Sequence, residues 1–402
     1  MYLPSADPDS VVAAIRRRAP RSDDIVLLLL GQQGHPDLDE LVSALNALGV
    51  AFLGGVFPLV FAGEQLASEG AVLQVLPALG RAIPFWDLHR RGAQVADIEP
   101  QLARASERCA TALLLVDGQA DNLGRFLSAL ADRLGNAVHY FGAGAGYYEG
   151  LVQAPAGSGQ PAPARAPGFV RRPCLFCPEG VFQDAALLAL LPGAIRLGVR
   201  HGWRRRAAGP IVATRTERNR IAELNWRNAL EVYREIVEPL AGRSFSASTL
   251  YEVGQAFPFG LYKEDVEDLV RVPIAATEHG ELVCGGEVLE HSVLDVRSTD
   301  ADALIAAARQ AARAALAEPA RPAPGPAATA PLRCVLVADC ISRYRLLRER
   351  FTEELDAVRQ LLGKHAPGAQ LAGALTLGEI ASTGEGFLEY FNQTIVVGAL
   401  HG

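Results

Sequence analysis

The feature that most constrains the fold is a pattern that occurs three times along the 402 residues of the chain. Each copy reads as an apolar strand, an amphipathic helix, a strand of small residues and a second apolar strand. The helical segments read PDLDELVSALNALG, NLGRFLSALADRLG and RERFTEELDAVRQLLG. Each helix should stop at its glycine, Gly49, Gly135 or Gly363, because glycine readily adopts the left-handed cap conformation.

The repeat predicts the fold class. We expect an α/β protein made of strand-helix-strand-strand units, with mixed sheets and with the helices on the outside. An arrangement in which two sheets pack face to face is compatible with this period.

Composition excludes several classes of protein. Half of the residues are hydrophobic, which supports a large core, and the net charge of -7 argues against a nucleic-acid partner. The apolar run IVLLLL at 25–30 is too short to cross a bilayer, and MYLPSADPDS lacks the pattern of a signal peptide. Six scattered cysteines fit a reducing compartment. We therefore expect a cytoplasmic bacterial protein without a membrane partner.

The small strands are the first candidates for a binding surface, because glycine lets a ligand reach backbone N–H groups. The alternative is that the glycines allow another element to pack closely. Two of these strands are followed by Gly-Glu, at Gly63–Glu64 and at Gly378–Glu379, and we assign both pairs to the same place in the repeat. The ligand-binding residues predicted from these strands are Gly54, Gly55, Glu64, Gly142, Gly144, Thr376, Gly378 and Glu379.

Two histidines are candidate ligands for an iron centre. His201 lies in RHGW beside Trp203, and His139 lies at the start of the second small strand. As a haem ligand, His201 would need an open face and apolar walls. The alternative for either histidine is a hydrogen bond to the backbone. The pair Cys174 and Cys177, without a second pair, is a weak indication of zinc.

Three residues of the third repeat complete the candidate site. Arg343 stands where a helix should begin and could hold an anionic ligand, or could instead form an ion pair with Glu379 or Glu64. Cys340 precedes it and could be either reactive or an inert buried thiol. Asn392 begins the last strand and could bind a ligand or cap a turn. No nucleophile elbow, P-loop, dinucleotide fingerprint or zinc helix occurs in the sequence.

The chain resembles the FIST family of bacterial sensory domains. The N-terminal part of the resemblance is carried by FGAGAG, VFQDAALLALLPGAIRLGVRHGW and GPIVATRTERNRIAELNWRNALEVY. The C-terminal part is carried by FPFGLY, VRVPI, ADALIAAARQAA, DCISRYRLL, AGALTLGEIA and FNQT. The resemblance implies an extension at 1–23, an N-terminal domain at 24–235 with a flexible loop at 151–173, and a C-terminal domain at 245–402 with a flexible loop at 318–331. Two positions depart from the family pattern: GGVFPLVFAGE lacks Ser and Thr, and VLEHS places His291 in a turn.

The resemblance implies a sensor that binds a small molecule, an amino acid or another small carboxylate, and acts on a separate partner such as a histidine kinase. Some members resemble nitric-oxide sensors, which makes haem bound through His201 a narrower hypothesis. Two other classes stay open. One is an enzyme that uses Glu379 or Cys340 on a small carboxylate or amide, and the other is an interaction module without a ligand.

Overall fold

The computed structural model describes residues 1–90, 109–136, 138–151, 168–206, 209–263, 267–317, 330–383 and 387–402. Most of the two loops predicted at 151–173 and 318–331 lies outside these residues. The fold is mixed α/β, as predicted, with four large sheets among the described residues.

Each repeat forms the centre of its own sheet, and we call the three repeats units 1, 2 and 3. In each unit the first strand pairs in parallel with the glycine-rich strand and antiparallel with the last strand. The first strands are β2 (Asp24–Gly31), β8 (Thr111–Asp117) and β25 (Leu332–Cys340). The glycine-rich strands are β3 (Ala51–Phe57), β9 (His139–Ala145) and β26 (Gln370–Thr376). The last strands are β6 (Ala71–Pro77), β14 (Ala186–Leu191) and β29 (Ile395–His401).

A hairpin from a different unit completes each sheet beside the glycine-rich strand. The hairpin of unit 1, β4 (Val60–Ala62) and β5 (Gln65–Ala67), pairs with β26 of unit 3. The hairpin of unit 3, β27 (Glu379–Thr383) and β28 (Phe387–Phe391), pairs with β9 of unit 2. The hairpin of unit 2, β12 (Leu175–Cys177) and β13 (Gly180–Phe182), pairs with β3 of unit 1. The three units therefore exchange hairpins in a closed cycle.

A short strand covers the opposite edge of each of the three sheets. These strands are β1 (Tyr2–Leu3), β7 (Ile83–Phe85) and β15 (Ile195–Arg200). The strand β15 pairs antiparallel with β29 of unit 3. All three sheets thus have six strands in the same order.

The repeat helices cover the outer faces of the sheets, as predicted. The helices of units 1 and 2 are α2 (Leu38–Leu48) and α3 (Leu123–Leu134), and they end at Gly49 and Gly135, whose φ angles are 74° and 75°. Unit 3 has two helices, α7 (Ile341–Leu347) and α8 (Phe351–His365), joined by the short 3-10 helix Arg348–Arg350. The predicted stop at Gly363 is wrong. Helix α8 continues to His365, and Pro367 disfavours a helical conformation for the residue before it.

The core forms where the inner faces of the three sheets meet. Leu113 and Leu115 of β8 share one apolar cluster with Leu336 and Ala338 of β25, whereas their neighbours in each strand face the helices. This alternation follows from the period of two residues in a strand. The core is therefore shared by three sheets rather than by the two that we expected to pack face to face.

A fourth sheet, with nine strands, lies beside the three units. Its strands are β16 (Arg204–Arg205), β17 (Ile211–Glu217), β18 (Arg220–Leu224), β19 (Arg227–Asn228), β20 (Phe259–Leu261), β21 (Leu269–Arg271), β22 (Pro273–Ala276), β23 (Leu282–Cys284) and β24 (Val293–Ser298). The remaining helices are α1 (Pro8–Arg18), α4 (Ala229–Ala241), α5 (Leu250–Ala256), α6 (Ala301–Leu316) and the 3-10 helix Glu149–Leu151. The remaining strands, β10 (Tyr147–Tyr148) and β11 (Phe169–Val170), pair with each other. Asp300 caps α6 by accepting a hydrogen bond from the Ala303 amide.

The sheets do not follow the predicted boundary between residues 235 and 245. The hairpin β4–β5 completes a sheet of the C-terminal part, and β27–β28 completes a sheet of the N-terminal part. Among the described residues, no helix combines the length and the apolar character needed to cross a membrane.

Candidate functional site

The glycines of the small strands face the exchanged hairpins. A Cβ on Gly54 would lie 2.1 Å from the ring of Phe176, which is its registered partner on β12. A Cβ on Gly373 would lie 2.5 Å from its partner Phe61 on β4, and one on Gly142 would lie 3.1 Å from Ile380 on β27. Close packing, the alternative that we left open, therefore explains the small strands.

The other predicted glycines serve the same packing. Gly55 lies against Ala145 and Phe57, and Gly144 lies against Leu377 and Gly378. The amide of Gly144 donates to the carbonyl of Gly378 at 2.8 Å. The prediction that these glycines line a ligand site is wrong, because protein atoms already fill the space beside them.

The two Gly-Glu pairs do not occupy equivalent places. Glu64 is exposed in the two-residue turn between β4 and β5. Glu379 is the first residue of β27 and is completely buried. By position in the unit, Glu379 corresponds to Val60, the first residue of β4. Gly378 is required for a different reason: its φ is 131°, and a Cβ would lie 2.0 Å from the hydroxyl oxygen of Tyr390.

Glu379 belongs to a sealed cluster of charged groups inside unit 3. It accepts hydrogen bonds from the Thr376 hydroxyl at 2.6 Å and from the Thr394 amide at 3.2 Å. Burial raises the pKa of Glu379 to about 8, even though these hydrogen bonds oppose the shift. Burial also raises the pKa of Asp339, and the neighbouring carboxylates of Glu354 and Glu379 add to that effect. Neither Glu379 nor Thr376 lines the large cavity between units 2 and 3 and the nine-stranded sheet.

Arg343 is the cation of this cluster. Its side chain is completely buried, Nε lies 3.0 Å from Glu354 Oε1 and 3.3 Å from Asp339 Oδ1, and Nη2 also pairs with Glu354. Its remaining donors reach the carbonyls of His201 at 2.6 Å and Leu304 at 3.0 Å. The predicted role in anchoring a ligand is therefore wrong, because protein acceptors occupy the guanidinium. An ion pair was the open alternative, but its partners are Glu354 and Asp339 rather than Glu379 or Glu64.

Neither predicted histidine fits a haem ligand. His201 is 6 % exposed, its Nδ1 accepts from the Trp203 amide at 2.7 Å, and its Nε2 lies 3.3 Å from Arg297 Nη1. Burial and the nearby arginines lower the pKa of His201 to about 3, so its imidazole is neutral. His201 and Trp203 lie in the connection between β15 and β16, the first strand of the nine-stranded sheet. His139 is exposed at the start of β9, and neither histidine lines the large cavity between units 2 and 3 and the nine-stranded sheet.

The described residues also give no support for a metal site. They contain no group of three or more His, Cys, Asp or Glu side chains arranged to hold a metal ion. Cys174 and Cys177 are buried thiols on either side of Phe176, and burial raises the pKa of both.

A cavity of about 1180 Å³ lies elsewhere, between units 2 and 3 and the nine-stranded sheet. Residues 118–124, which follow β8 and begin α3, form one wall. Residues 340–342, which end β25 and begin α7, form a second wall. The cavity therefore lies at the carboxyl ends of two parallel strands, where α/β proteins commonly bind ligands. Of the predicted residues, Cys340 and Asn392 line it.

Arg271 is the main charged group of the inner wall. It is 5 % exposed and lies on β21. Its Nε donates to the carbonyl of Glu287 at 2.9 Å, and its Nη1 donates to the carbonyls of Val270 at 3.0 Å and Tyr390 at 3.2 Å. It makes no ion pair with any residue that the structure describes. Burial lowers its pKa, but an arginine remains protonated.

Asn392 supplies an unused polar group to the same cavity. Its side chain is 8 % exposed, and Oδ1 has no hydrogen-bond partner among the described residues. Gly285 is its neighbour across the cavity wall, where a Cβ would lie 3.6 Å from Oδ1. Buried polar atoms normally have a partner, so an orphan that faces a cavity indicates a missing ligand or water.

Other cavity groups are already paired or unreactive. Lys263 Nζ lies 2.6 Å from Glu389 Oε1, an ion pair that joins β28 to the segment after β20. Burial and the neighbouring Glu379 raise the pKa of the Cys340 thiol well above its usual value. A thiol held in its protonated form is a poor nucleophile.

Sequence reasoning missed Arg271, Lys263 and Glu389. A signal for Arg271 was present, because it is the one charged residue within the apolar segment LVRVPI. No comparable signal marked Lys263 or Glu389, since both stand among other polar residues.

The fold and the cavity define an α/β protein with a large cavity at the carboxyl ends of its strands. Comparison with known families assigns it further: the FIST N domain matches residues 85–227, and the FIST C domain matches residues 229–382. The chain belongs to the FIST family, as predicted, and FIST domains are sensory domains of signal transduction. The match to the N domain begins at residue 85, whereas we predicted that it begins near 24. No curated protein matches the chain.

Proposed function

We propose that the protein senses a small organic anion, an amino acid or another small carboxylate, which binds in the cavity through Arg271 and Asn392. The observation that carries the proposal is Arg271, a buried guanidinium without a carboxylate partner among the described residues. The Nε and Nη1 of Arg271 already donate to carbonyls, whereas its Nη2 makes no hydrogen bond with the described residues and can donate to a ligand carboxylate. The unpaired Asn392 Oδ1 is an acceptor, so it would bind the ammonium group of an amino acid.

A ligand in this cavity would act as a bridge. Its walls come from units 2 and 3 and from the nine-stranded sheet, so a bound molecule would fix these parts relative to one another. Such a ligand shifts a conformational equilibrium if it binds one arrangement better. We propose that a separate signalling protein in the cytoplasm, such as a histidine kinase, responds to this change.

Isothermal titration with a panel of amino acids and small carboxylates tests the proposal, with the corresponding amides as uncharged probes. We expect at least one carboxylate to bind, its amide to bind at least tenfold more weakly, and Arg271→Gln to lose the difference. Arg309→Gln, a change at an exposed arginine of α6, is the matched control. Equal binding of carboxylate and amide, or unchanged binding by Arg271→Gln, would refute the proposal.

We infer a binding role rather than catalysis. The Cys340 thiol reaches the cavity, but its raised pKa keeps the thiolate scarce, and Glu379 does not line the cavity. The raised pKa of Glu379 is the one observation that favours an enzyme, since such groups can transfer protons. The rate of alkylation by iodoacetamide at pH 8 tests whether the Cys340 thiol is reactive. We expect labelling slower than that of free cysteine, and faster labelling would revive the catalytic alternative.

A further inference from the structure

The mouth of the cavity is apolar. Six large hydrophobic side chains are well exposed among the described residues, and three of them, Tyr262, Leu289 and Val293, line this cavity. Their exposed fractions are 65 %, 73 % and 52 %. Exposed apolar side chains that cluster at a cavity usually mark a binding surface, because isolated ones scatter over the protein.

The three side chains form a strip next to the nine-stranded sheet. In the register of β20 with β24, Leu261 pairs with Leu294, so the following Tyr262 comes opposite Val293. Leu289 precedes this pair in a turn in which the Ser292 amide donates to the Leu289 carbonyl at 3.1 Å. Tyr262 and Val293 therefore lie beside each other on the sheet that carries Arg271, and Leu289 lies in the turn that leads into Val293.

The strip and Arg271 line the same cavity. Arg271 pairs with Phe259, and Tyr262 follows Phe259 by three residues on β20. Because side chains alternate along a strand, the register directs Arg271 and Tyr262 to opposite faces of the sheet. A molecule that contacts both groups must therefore extend through the cavity from one to the other. The volume of about 1180 Å³ also lies above the range of ~300–1,000 Å³ in which drug-sized ligands bind.

Resting on the function proposed above, we propose that the ligand is an amphiphilic carboxylate, whose carboxylate binds Arg271 and whose apolar chain lies along Tyr262, Leu289 and Val293. The inner walls suit such a chain, since Leu261, Leu269 and Leu388 also line the cavity. Burial of the chain would cover apolar surface that water otherwise contacts.

A series of straight-chain carboxylates from acetate to decanoate tests this inference by titration calorimetry. Each methylene that enters an apolar site contributes about 0.8 kcal/mol, so we expect affinity to rise about fourfold per methylene until the strip is covered. In Leu289→Ser the rise should be weaker for the longer acids, while acetate and butyrate bind as they do to the natural chain. Trp226→Ser is the matched control, because Trp226 is 78 % exposed and does not line the cavity.

The outcomes separate this inference from the proposed function. If short carboxylates bind and affinity does not rise with chain length, the amphiphile is refuted and the small-anion sensor stands. If affinity rises equally in Leu289→Ser, or if Arg271→Gln keeps the full rise, the chain lies elsewhere and the inference also fails. If the natural chain binds no acid of the series and no member of the amino-acid panel, both proposals fail.

Discussion

Arg343 and Arg271 are both buried in the third unit and its neighbouring sheet, yet their surroundings differ. Arg343 faces two carboxylates and three carbonyls, and every direction around it is protein. Arg271 has carbonyl partners only and lines a cavity. Burial alone therefore does not identify a functional arginine. The distinction is whether a carboxylate of the protein pairs directly with the guanidinium, as Glu354 does with Arg343, or only lies near it, as Glu389 does with Arg271.

The largest effect should come from Arg343→Gln. The change leaves Asp339 and Glu354 buried without their cation, and breaking a buried pair in this way typically costs about 3–5 kcal/mol. Denaturant unfolding monitored by circular dichroism measures the loss, with Arg309→Gln as the control. The double variant Arg343→Gln/Glu354→Gln should recover part of the stability, since it removes one of the uncompensated charges. A loss below about 1 kcal/mol would mean that this cluster does not support the fold.

Glu379→Gln should change the pH dependence of stability. The pKa of Glu379 is raised from 4.5 to about 8, so the folded chain keeps a proton that the unfolded chain releases between these values. Stability from this group is present below pH 4.5 and falls as the pH rises to 8. Above pH 8, Glu379→Gln should therefore be more stable than the natural chain by several kcal/mol.

The measurement is the free energy of unfolding at pH 5, 7 and 9. Asp339, whose pKa is also raised, should leave a residual slope in the Glu379→Gln variant. Parallel pH profiles for the two proteins would show that Glu379 is ionised throughout, and the sealed cluster would then need another counter-charge.

Arg271→Gln should affect stability much less than Arg343→Gln. It leaves three carbonyls short of a donor but no buried anion among its direct partners, so we expect a loss of about 1 kcal/mol. The same denaturant unfolding checks this value. A loss as large as that of Arg343→Gln would mean that Arg271, like Arg343, has a structural role.

The last prediction concerns how much an added carboxylate stabilises each protein. A ligand at one hundred times its Kd should stabilise the natural chain by about 2.7 kcal/mol. Arg271→Gln should show no such gain, whereas Glu379→Gln should keep it in full. Equal gains in all three proteins would place the ligand away from Arg271.

The sequence determined the units and the elements within them. The leucine spacing of 38–48 and 123–134 and the glycines that follow predicted helices that the structure contains, and the motifs along the chain predicted the family. These features are local, because hydrophobic period and cap residues act within a few positions of each other. The helix end predicted at Gly363 was wrong, since glycine can also occur inside a helix.

Only the tertiary structure decided which glycines and charges meet one another. The hairpin exchange brings Phe176 onto Gly54 and Phe61 onto Gly373 across more than a hundred residues, and the sequence around a glycine does not name its partner. The same holds for charge. A carboxylate 11 residues away satisfies Arg343, and the strand register turns Arg271 toward a cavity, so pairing in space separates the structural arginine from the candidate ligand-binding one.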